Sequence, residues 1–377
     1  MCIRDRSWPA LSDVSGGIEM NPRIRYVYIL FATIILSHTG CGQESGTGPV
    51  KDEADSYTDI QTRIYRNNEF ALDLYRKVAE DTIGNFMISP HSTEVAFAMV
   101  YAGARGQTEM EIADVMNFHY PQANGFHGSM SALNDELCGR SEGWFRIKIA
   151  NGCWMDRQYG VLQAFQDTLA HYYDAEMDTL DFMMDPEGSR GLINDWVYEE
   201  TDHSIQDAFP PGSINTSTVM VLANTFCFRA RWLNCFDQVY THDRQFHLLD
   251  GSTVTVPFMN GEDYFDSYDG DGYAAIRLPY EGGLVSMMII LPDEGNFEAF
   301  EAGLEGSFII SLYDSLETGF THLKLPRWTI TTELELSKIL GEMGMPSAFR
   351  LGADFSGIDG TDDGMPWISG VIHKTVS

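Results

Sequence analysis

Lysine is scarce in this sequence. Only 6 of the 377 residues are lysine, and 24 basic side chains stand against 55 acidic ones, which gives a formal net charge of −31. A protein that neutralises phosphates needs clustered lysine and arginine, and a field of this sign repels a polyanion. The composition therefore excludes nucleic acid as a partner. Hydrophobic residues make up 44% of the sequence, which is enough for a sizeable core.

The short motifs that mark common catalytic sites are also missing. The sequence has no G-x-S-x-G turn, no H-E-x-x-H pair, no Walker loop and no G-x-G-x-x-G segment. Asp269–Tyr273 and Asp359–Gly364 faintly resemble calcium loops, but neither has aspartate at all three early positions and the distal glutamate. We interpret both as solvated turns, and we expect no metal, no cofactor and no enzymatic activity.

Paired cysteine motifs are absent too. Cys2 and Cys41 precede the folded body, and the others are Cys138, Cys153, Cys227 and Cys235. Four cysteines in an exported protein could pair in three ways, but none of these shows C-x-x-C spacing and no nearby histidine suggests zinc. For a body of this size we expect isolated buried thiols.

One apolar run is conspicuous but short. Tyr26–Leu36 has eleven residues, whereas a membrane span needs about 20. Two arginines precede the run and small residues follow it, which is the layout of a secretory signal. Met20 makes a more natural start than Met1, so we assign residues 1–19 to a leader outside the fold and residues 20–40 to a signal peptide. We expect an extracellular or cell-envelope protein.

The end of this signal leaves two alternatives open. Gly40-Cys41 resembles a bacterial lipoprotein cleavage site, after which Cys41 would be lipidated and would tether the protein to the membrane. His38 departs from that motif, which has an aliphatic residue there, and ordinary secretion with cleavage nearby is the alternative. The polar stretch 41–61 is predicted to be a flexible tether.

Helical patterns dominate the first half of the body. Phe70, Leu74 and Val78 recur at helical spacing, and Asn67-Asn68 offers an N-cap. Asn85–Ser89 is a short apolar stretch that predicts a strand.

Two further helix starts follow. Ser89-Pro90 places a capping hydroxyl before a proline at the first helical position, and Gly103 ends that helix. Thr108–Glu111 predicts a capping box for a third helix.

Strand patterns dominate the second half. Thr218–Phe228 and Leu284–Leu291 are apolar almost throughout, as in strands covered on both faces. His322–Trp328 predicts another strand, and Leu334–Met343 predicts a helix. No repeating βαβ rhythm is present, so we expect one α+β domain over residues 62–377.

Asn224 interrupts the most apolar of these strands. A buried amide without partners costs about 1–3 kcal/mol, so Asn224 should be hydrogen-bonded. It is either a satisfied core asparagine or part of a mechanism.

Several stretches match, in order, the motifs of a known family. They are Asn85–Ser92, Met99–Thr108, Ile193–Val197, Val221–Thr225, Leu278–Gly282, Ser286–Pro292, Leu325–Trp328, Ala353–Gly357 and His373-Lys374. The chain resembles a bacterial-type serpin. The resemblance implies a single α+β domain with three β-sheets and a helical bundle. It also implies inhibition of a serine-type or cysteine-type endopeptidase. In this family the target cleaves an exposed loop, which then inserts into the central sheet and drags the protease with it as a trapped acyl-enzyme.

The resemblance also gives site residues. Ser89, Ser92, Asn224 and His373 match the family's shutter, a polar cluster beneath the two central strands that must part. His373 is expected to hydrogen-bond Asn224. Trp232 matches the aromatic residue at the top of the opening, the breach, and core packing is its alternative role. The expected partner is a protease of unknown identity, bound by a monomer.

The sequence departs from the family in three places. Ala230 replaces a glycine and Thr93 replaces an aliphatic residue, and both changes look tolerable. The sequence ends at Ser377, where the family continues into its hinge, reactive loop and last strands, so no reactive-site bond is named. We expect the intact parent to be an inhibitor and the chain as written to be inactive. A non-inhibitory serpin that acts as a binding protein, or a secreted hydrolase with a dispersed triad, are the alternatives.

Overall fold

The computed structural model describes residues 29–33, 53–82, 84–118, 125–141, 143, 145–249, 251–361 and 366–376. The helices within these ranges are α1 (Glu53–Asp81), α2 (Pro90–Gly103), α3 (Gly106–Val115), α4 (Gly125–Gly139), α5 (Gln163–Tyr173), α6 (Pro186–Glu200), α7 (Phe297–Ala302), α8 (Gly306–Ser315), α9 (Ser337–Met343) and α10 (Ser356–Asp359). The strands are β1 (Ile29–Thr33), β2 (Arg146–Asp156), β3 (Glu176–Leu180), β4 (Met220–Arg229), β5 (His242–His247), β6 (Thr253–Gly270), β7 (Tyr273–Pro279), β8 (Ser286–Pro292), β9 (Glu317–Pro326), β10 (Thr331–Glu335) and β11 (Ile372–Val376). None of these helices has the length and apolarity of a membrane span.

The strands form three sheets in the described part of the chain. A six-stranded sheet has the order β1-β8-β7-β6-β5, with β9 also paired to β6. A three-stranded sheet has the order β3-β2-β4, and β10 pairs with β11 in a two-stranded sheet. The α+β architecture with three sheets and a helical bundle is confirmed.

β1 lies within the apolar run that is predicted to be the centre of a signal peptide. Its backbone pairs antiparallel with β8, from Ile29 opposite Ile290 to Thr33 opposite Ser286. Export of the protein stays a prediction.

The main core joins the helices to one face of the three-stranded sheet. Phe70, Leu74 and Val78 of α1 are fully buried, as their spacing predicted.

The predicted N-cap at Asn67-Asn68 is wrong, because α1 begins at Glu53, within the predicted tether. No glycine or proline interrupts the chain from Glu53 to Asn68, and glycine and proline are the residues that most disfavour a helix interior.

The region around α2 confirms one local prediction and overturns another. α2 begins at Pro90 and ends at Gly103, but the Ser89 hydroxyl makes no capping bond. Asn85–Ser89 is not a strand. The N–H group of Met87 donates instead to the Thr332 hydroxyl at 2.9 Å. This segment is therefore bonded to a side chain of β10 and not paired with a neighbouring strand.

Two other local predictions need correction. α3 begins at Gly106, so Thr108 is inside the helix, and its hydroxyl accepts from the N–H of Asp354 instead of forming a capping box. The helix predicted from Leu334 begins only at Ser337, because the preceding residues pair with β11. β4, β8 and β9 lie where the apolar runs predicted strands.

Candidate functional site

Two strands face each other across an open space without pairing. Among the described strands, β4 pairs only with β2, and β11 pairs only with β10. All of β4 and β11 line a single cavity of about 1030 Å³. We call the space between the free edges of these two strands the seam.

The first turn of α2 forms the floor of the seam. The Ser92 hydroxyl donates to the Asn224 side-chain oxygen on β4. The backbone N–H of Ser89 donates to Nε2 of His373 on β11, at 2.9 Å. One helix end is therefore bonded to both strands, and the four predicted shutter residues do lie together.

The expected hydrogen bond between His373 and Asn224 is not made in the described structure. The two strands lie on opposite sides of the seam, and each side chain bonds to α2 instead. Asn224 also donates to the Asn151 side-chain oxygen at 2.7 Å. The seam is thus bridged through the helix and not directly.

Asn151 is a member of this network that the sequence reasoning missed. It lies on β2 directly opposite Asn224, is 4% exposed, and donates to the backbone oxygen of Tyr173 at 2.7 Å. The hydroxyl of Ser92, the two amides and this carbonyl form one chain of hydrogen bonds. The sequence analysis made no prediction for the segment around Asn151, and its pairing with Asn224 follows from the register of β2 on β4.

His373 is held in its neutral form. Burial lowers its pKa to about 4 from an ordinary value of 6.5, because a buried charge is poorly solvated. The bond from Ser89 requires an unprotonated Nε2, which is consistent with that shift. The neutral ring therefore accepts a hydrogen bond from the backbone N–H of Ser89, the residue before α2.

Trp232 borders the same cavity beyond the end of β4. Its ring stacks on Tyr280, with the centroids 4.6 Å apart and the planes 11° from parallel. The two residues also form an isolated β-bridge. Trp232 also packs against two apolar clusters, so its core-packing role is observed, and its role in the breach stays a prediction.

Other predicted features lie apart from the seam or outside the described residues. Within the described residues, Cys138, Cys153, Cys227 and Cys235 form no disulfide bond. Only Cys153 is buried as expected, because Cys138 and Cys227 are half-buried and Cys235 is exposed. The candidate lipidation residue Cys41 lies outside the described residues. Within them, no group of three or more ligating side chains could hold a metal ion. The absence of a metal or cofactor stays a prediction.

Comparison with known proteins assigns the fold to a family. A sequence model described as "Serpin (serine protease inhibitor)" matches residues 65–376. The chain belongs to the serpin family. A serpin-like protein of Methanosarcina acetivorans is 31% identical over 88% of this chain and 78% of its own length. Leukocyte elastase inhibitor of Bos taurus is 32% identical over 82% of this chain and 83% of its own length.

Solved structures agree with this assignment. Emu ovalbumin superposes with a TM-score of 0.79 at 23% identity, covering 83% of this serpin and 84% of the ovalbumin chain. At that identity the likeness shows the fold alone. Serpins in general inhibit proteases and are not enzymes, and some members of the family, ovalbumin among them, are not inhibitors.

Proposed function

We propose that this serpin inhibits a serine-type endopeptidase by accepting a cleaved segment as a new strand in the seam. The observation that carries the proposal is the pair of free strand edges, on β4 and β11, that line one cavity. A strand added there pairs on both sides and joins the two-stranded and three-stranded sheets into one. The bovine relative whose name describes it as an elastase inhibitor supports this direction.

Pairing on two sides supplies the driving force. Each backbone hydrogen bond contributes a net of about 1 kcal/mol. A strand that pairs with the five residues of β11 and with part of the ten residues of β4 gains on the order of 5–10 kcal/mol. Burial of its side chains against the apolar lining adds to this gain.

The polar floor suits a seam that opens. Ser89 and Ser92 satisfy polar groups on both strands while the edges stay apart. A packed apolar contact between β4 and β11 would have to be broken before a strand could enter. Hydrogen bonds to a third element leave the edges free.

The chemistry of trapping belongs to the protease. Its serine oxygen bonds to the carbonyl carbon of the cleaved peptide, the C–N bond breaks, and the new amine takes the proton. The serpin holds the ester intact by moving it away from the geometry needed for hydrolysis. We further propose that the protein works as a monomer, outside the cell or on its envelope, through secretion or lipidation at Cys41.

A strand-uptake assay tests the proposal. The probe is a capped, fluorescein-labelled peptide of alternating threonine and alanine, with the ten-residue length of β4. The control peptide has the same length and label, but its two central residues are replaced by proline, which cannot donate to a ladder. We expect the first peptide to bind and to raise the thermal midpoint of unfolding by about 10 °C, and the proline peptide to do neither.

Two results would contradict the proposal. Equal stabilisation by both peptides would show adsorption to apolar surface, and no stabilisation by either would favour a non-inhibitory serpin with a closed seam. Hydrolysis of casein or of p-nitrophenyl esters by the purified chain would instead favour the hydrolase.

A further inference from the structure

A short turn projects from the protein just before β4. We call residues 215–218 the pre-β4 turn. Its first three residues are exposed, whereas Ile214 before it and Thr218 at its end are only 2% and 5% exposed. Ile214 packs in the apolar cluster that joins α6 to the three-stranded sheet. Two buried residues therefore hold the turn in place, and its apex faces the solvent.

Hydrogen bonds fix the conformation of the pre-β4 turn. The N–H of Thr218 donates to the backbone oxygen of Asn215 at 2.9 Å, and the N–H of Asn215 donates to the Thr218 hydroxyl at 3.0 Å. The side-chain oxygen of Asn215 accepts from the N–H and from the hydroxyl of Ser217, at 3.0 and 2.6 Å. The turn thus places the carboxamide of Asn215 beside the hydroxyl of Ser217.

The amide nitrogen of Asn215 is available for chemistry. Within the part of the chain that the structure describes, the hydrogen bonds of this side chain all go to its oxygen, and Nδ2 donates none. The buried Asn151 and Asn194 both donate this group to a backbone oxygen. At Asn215 the same group is exposed and unpartnered.

The same residues form an acceptor triplet for an N-linked sugar. Asn215-Thr216-Ser217 reads N-x-S without proline in the middle, and it is the only N-x-S or N-x-T triplet in the sequence. A glycan is bulky and hydrophilic, so its attachment requires an asparagine at the surface. The one triplet in the sequence therefore lies where a glycan has room.

We propose that Asn215 accepts an N-linked glycan from a polyprenyl-diphosphate-linked oligosaccharide after export. This inference rests on the export that is part of the proposed function. In the transfer, the bond between the anomeric carbon of the first sugar and the diphosphate oxygen breaks, and that carbon bonds to Nδ2. The amide loses one proton to a base of the transferring enzyme. The diphosphate leaves with the electron pair of the broken bond.

The turn favours this reaction through the side-chain oxygen of Asn215. An amide nitrogen is a poor nucleophile, because its lone pair is shared with the carbonyl group. Loss of a proton from Nδ2 places negative charge on the oxygen. The N–H and the hydroxyl of Ser217 both donate to that oxygen, so they stabilise the charge as it forms. Ser217 is thus a positioning residue that acts through Asn215.

A transfer assay on the purified full chain tests the acceptor site. The probe is a polyprenyl diphosphate that carries N,N′-diacetylchitobiose, supplied with a single-subunit oligosaccharyltransferase. We expect mass spectrometry to find the disaccharide on the tryptic peptide that contains Asn215, and peptide N-glycosidase to convert this residue to aspartate. Asn215→Gln should abolish the transfer. Asn85→Gln is the matched control, because Asn85 is exposed but Met87 stands where the triplet needs a hydroxyl.

Two variants of Ser217 test the role of its hydroxyl. Ser217→Ala keeps the N–H but removes the hydroxyl, and we expect transfer to be about tenfold slower, as for one lost hydrogen bond. Ser217→Thr keeps the hydroxyl and should stay within about threefold of the unmodified protein. The thermal midpoints of both variants should change by less than about 2 °C, since the residue is exposed. A merely structural role would not produce this pattern.

Three results would overturn the proposal. The first is no transfer to the full chain while a free peptide with the same triplet is labelled in the same reaction. The second is transfer that persists in Asn215→Gln, and the third is unchanged transfer in Ser217→Ala. Export and strand uptake are measured separately, by cell fractionation and by the peptide assay. Failure of the proposed function is therefore distinguishable from failure of the acceptor site.

Discussion

The hydrogen-bond chain at the floor of the seam yields a quantitative prediction. The perturbation is a double-mutant cycle of Ser92→Ala, Asn224→Ala and their combination. Asn224 accepts from Ser92 and donates to Asn151, so its truncation removes two bonds at once. Ser92→Ala removes only the first.

The magnitude follows from what each variant leaves unpaired. Asn224→Ala strands the Ser92 hydroxyl and the Asn151 oxygen, on residues that are 9% and 4% exposed. Each stranded buried group costs about 1–3 kcal/mol. Because Asn224 itself is half-buried and water in the seam replaces part of the loss, we expect a decrease of about 2–3 kcal/mol in the free energy of unfolding. Ser92→Ala should cost about 1 kcal/mol.

Urea unfolding followed by far-UV circular dichroism measures these values. The double variant should lose about 1 kcal/mol less than the sum of the single losses, because both remove the same bond. Ser315→Ala is the control, since that exposed hydroxyl bonds only within α8, and it should change stability by less than about 0.5 kcal/mol. Strictly additive losses would show that Ser92 and Asn224 do not interact, and the account of the floor would then be wrong.

Two further predictions concern buried charge. Glu94 and Arg63 form an ion pair whose side chains are 0% and 3% exposed. Glu94→Gln should lower the free energy of unfolding in urea by about 3–5 kcal/mol, and Arg63→Met with Glu94→Leu should regain much of this loss. A loss below about 1 kcal/mol in the single variant would contradict this prediction. His373 has a folded-state pKa of about 4 against an ordinary 6.5, so the unfolded state takes up its proton first as the pH falls. Stability should therefore decline between about pH 6.5 and pH 4, by about 2 kcal/mol at pH 5 from this residue, and His373→Gln should flatten the curve measured by thermal unfolding. An unchanged slope would exclude His373 as its source.

Local patterns in the sequence correctly predicted the strands and helix starts that do not depend on a particular distant partner. The apolar runs at β4 and β8 became strands because each is covered on both faces. The proline after Ser89 correctly marked the start of α2, since its missing N–H needs no partner there. Apolar runs and a proline at a helix start therefore predicted these elements correctly.

The failures arose where a side chain found a distant partner. The Asn67 amide was predicted to cap a helix, but α1 extends through it and the amide donates to Glu94 on α2. Thr108 was predicted to cap α3, but it accepts from Asp354, far along the chain. A cap is one of several uses for such a side chain, and only the packed structure decides between them.

The site shows the same limit more sharply. The family resemblance selected the four shutter residues, and the structure does bring them together at α2. It did not select Asn151, because the register of two strands determines that pairing.

The floor of the seam holds two strands in place without joining them to each other. The Ser92 hydroxyl bonds to Asn224 on β4, and the Ser89 N–H bonds to His373 on β11, so both bonds run through one end of α2. A strand taken up between the two edges, as proposed above, would therefore leave these bonds intact. If uptake instead required the floor to open first, Asn224→Ala would speed uptake of the threonine–alanine peptide, and the uptake assay with this variant measures that rate directly.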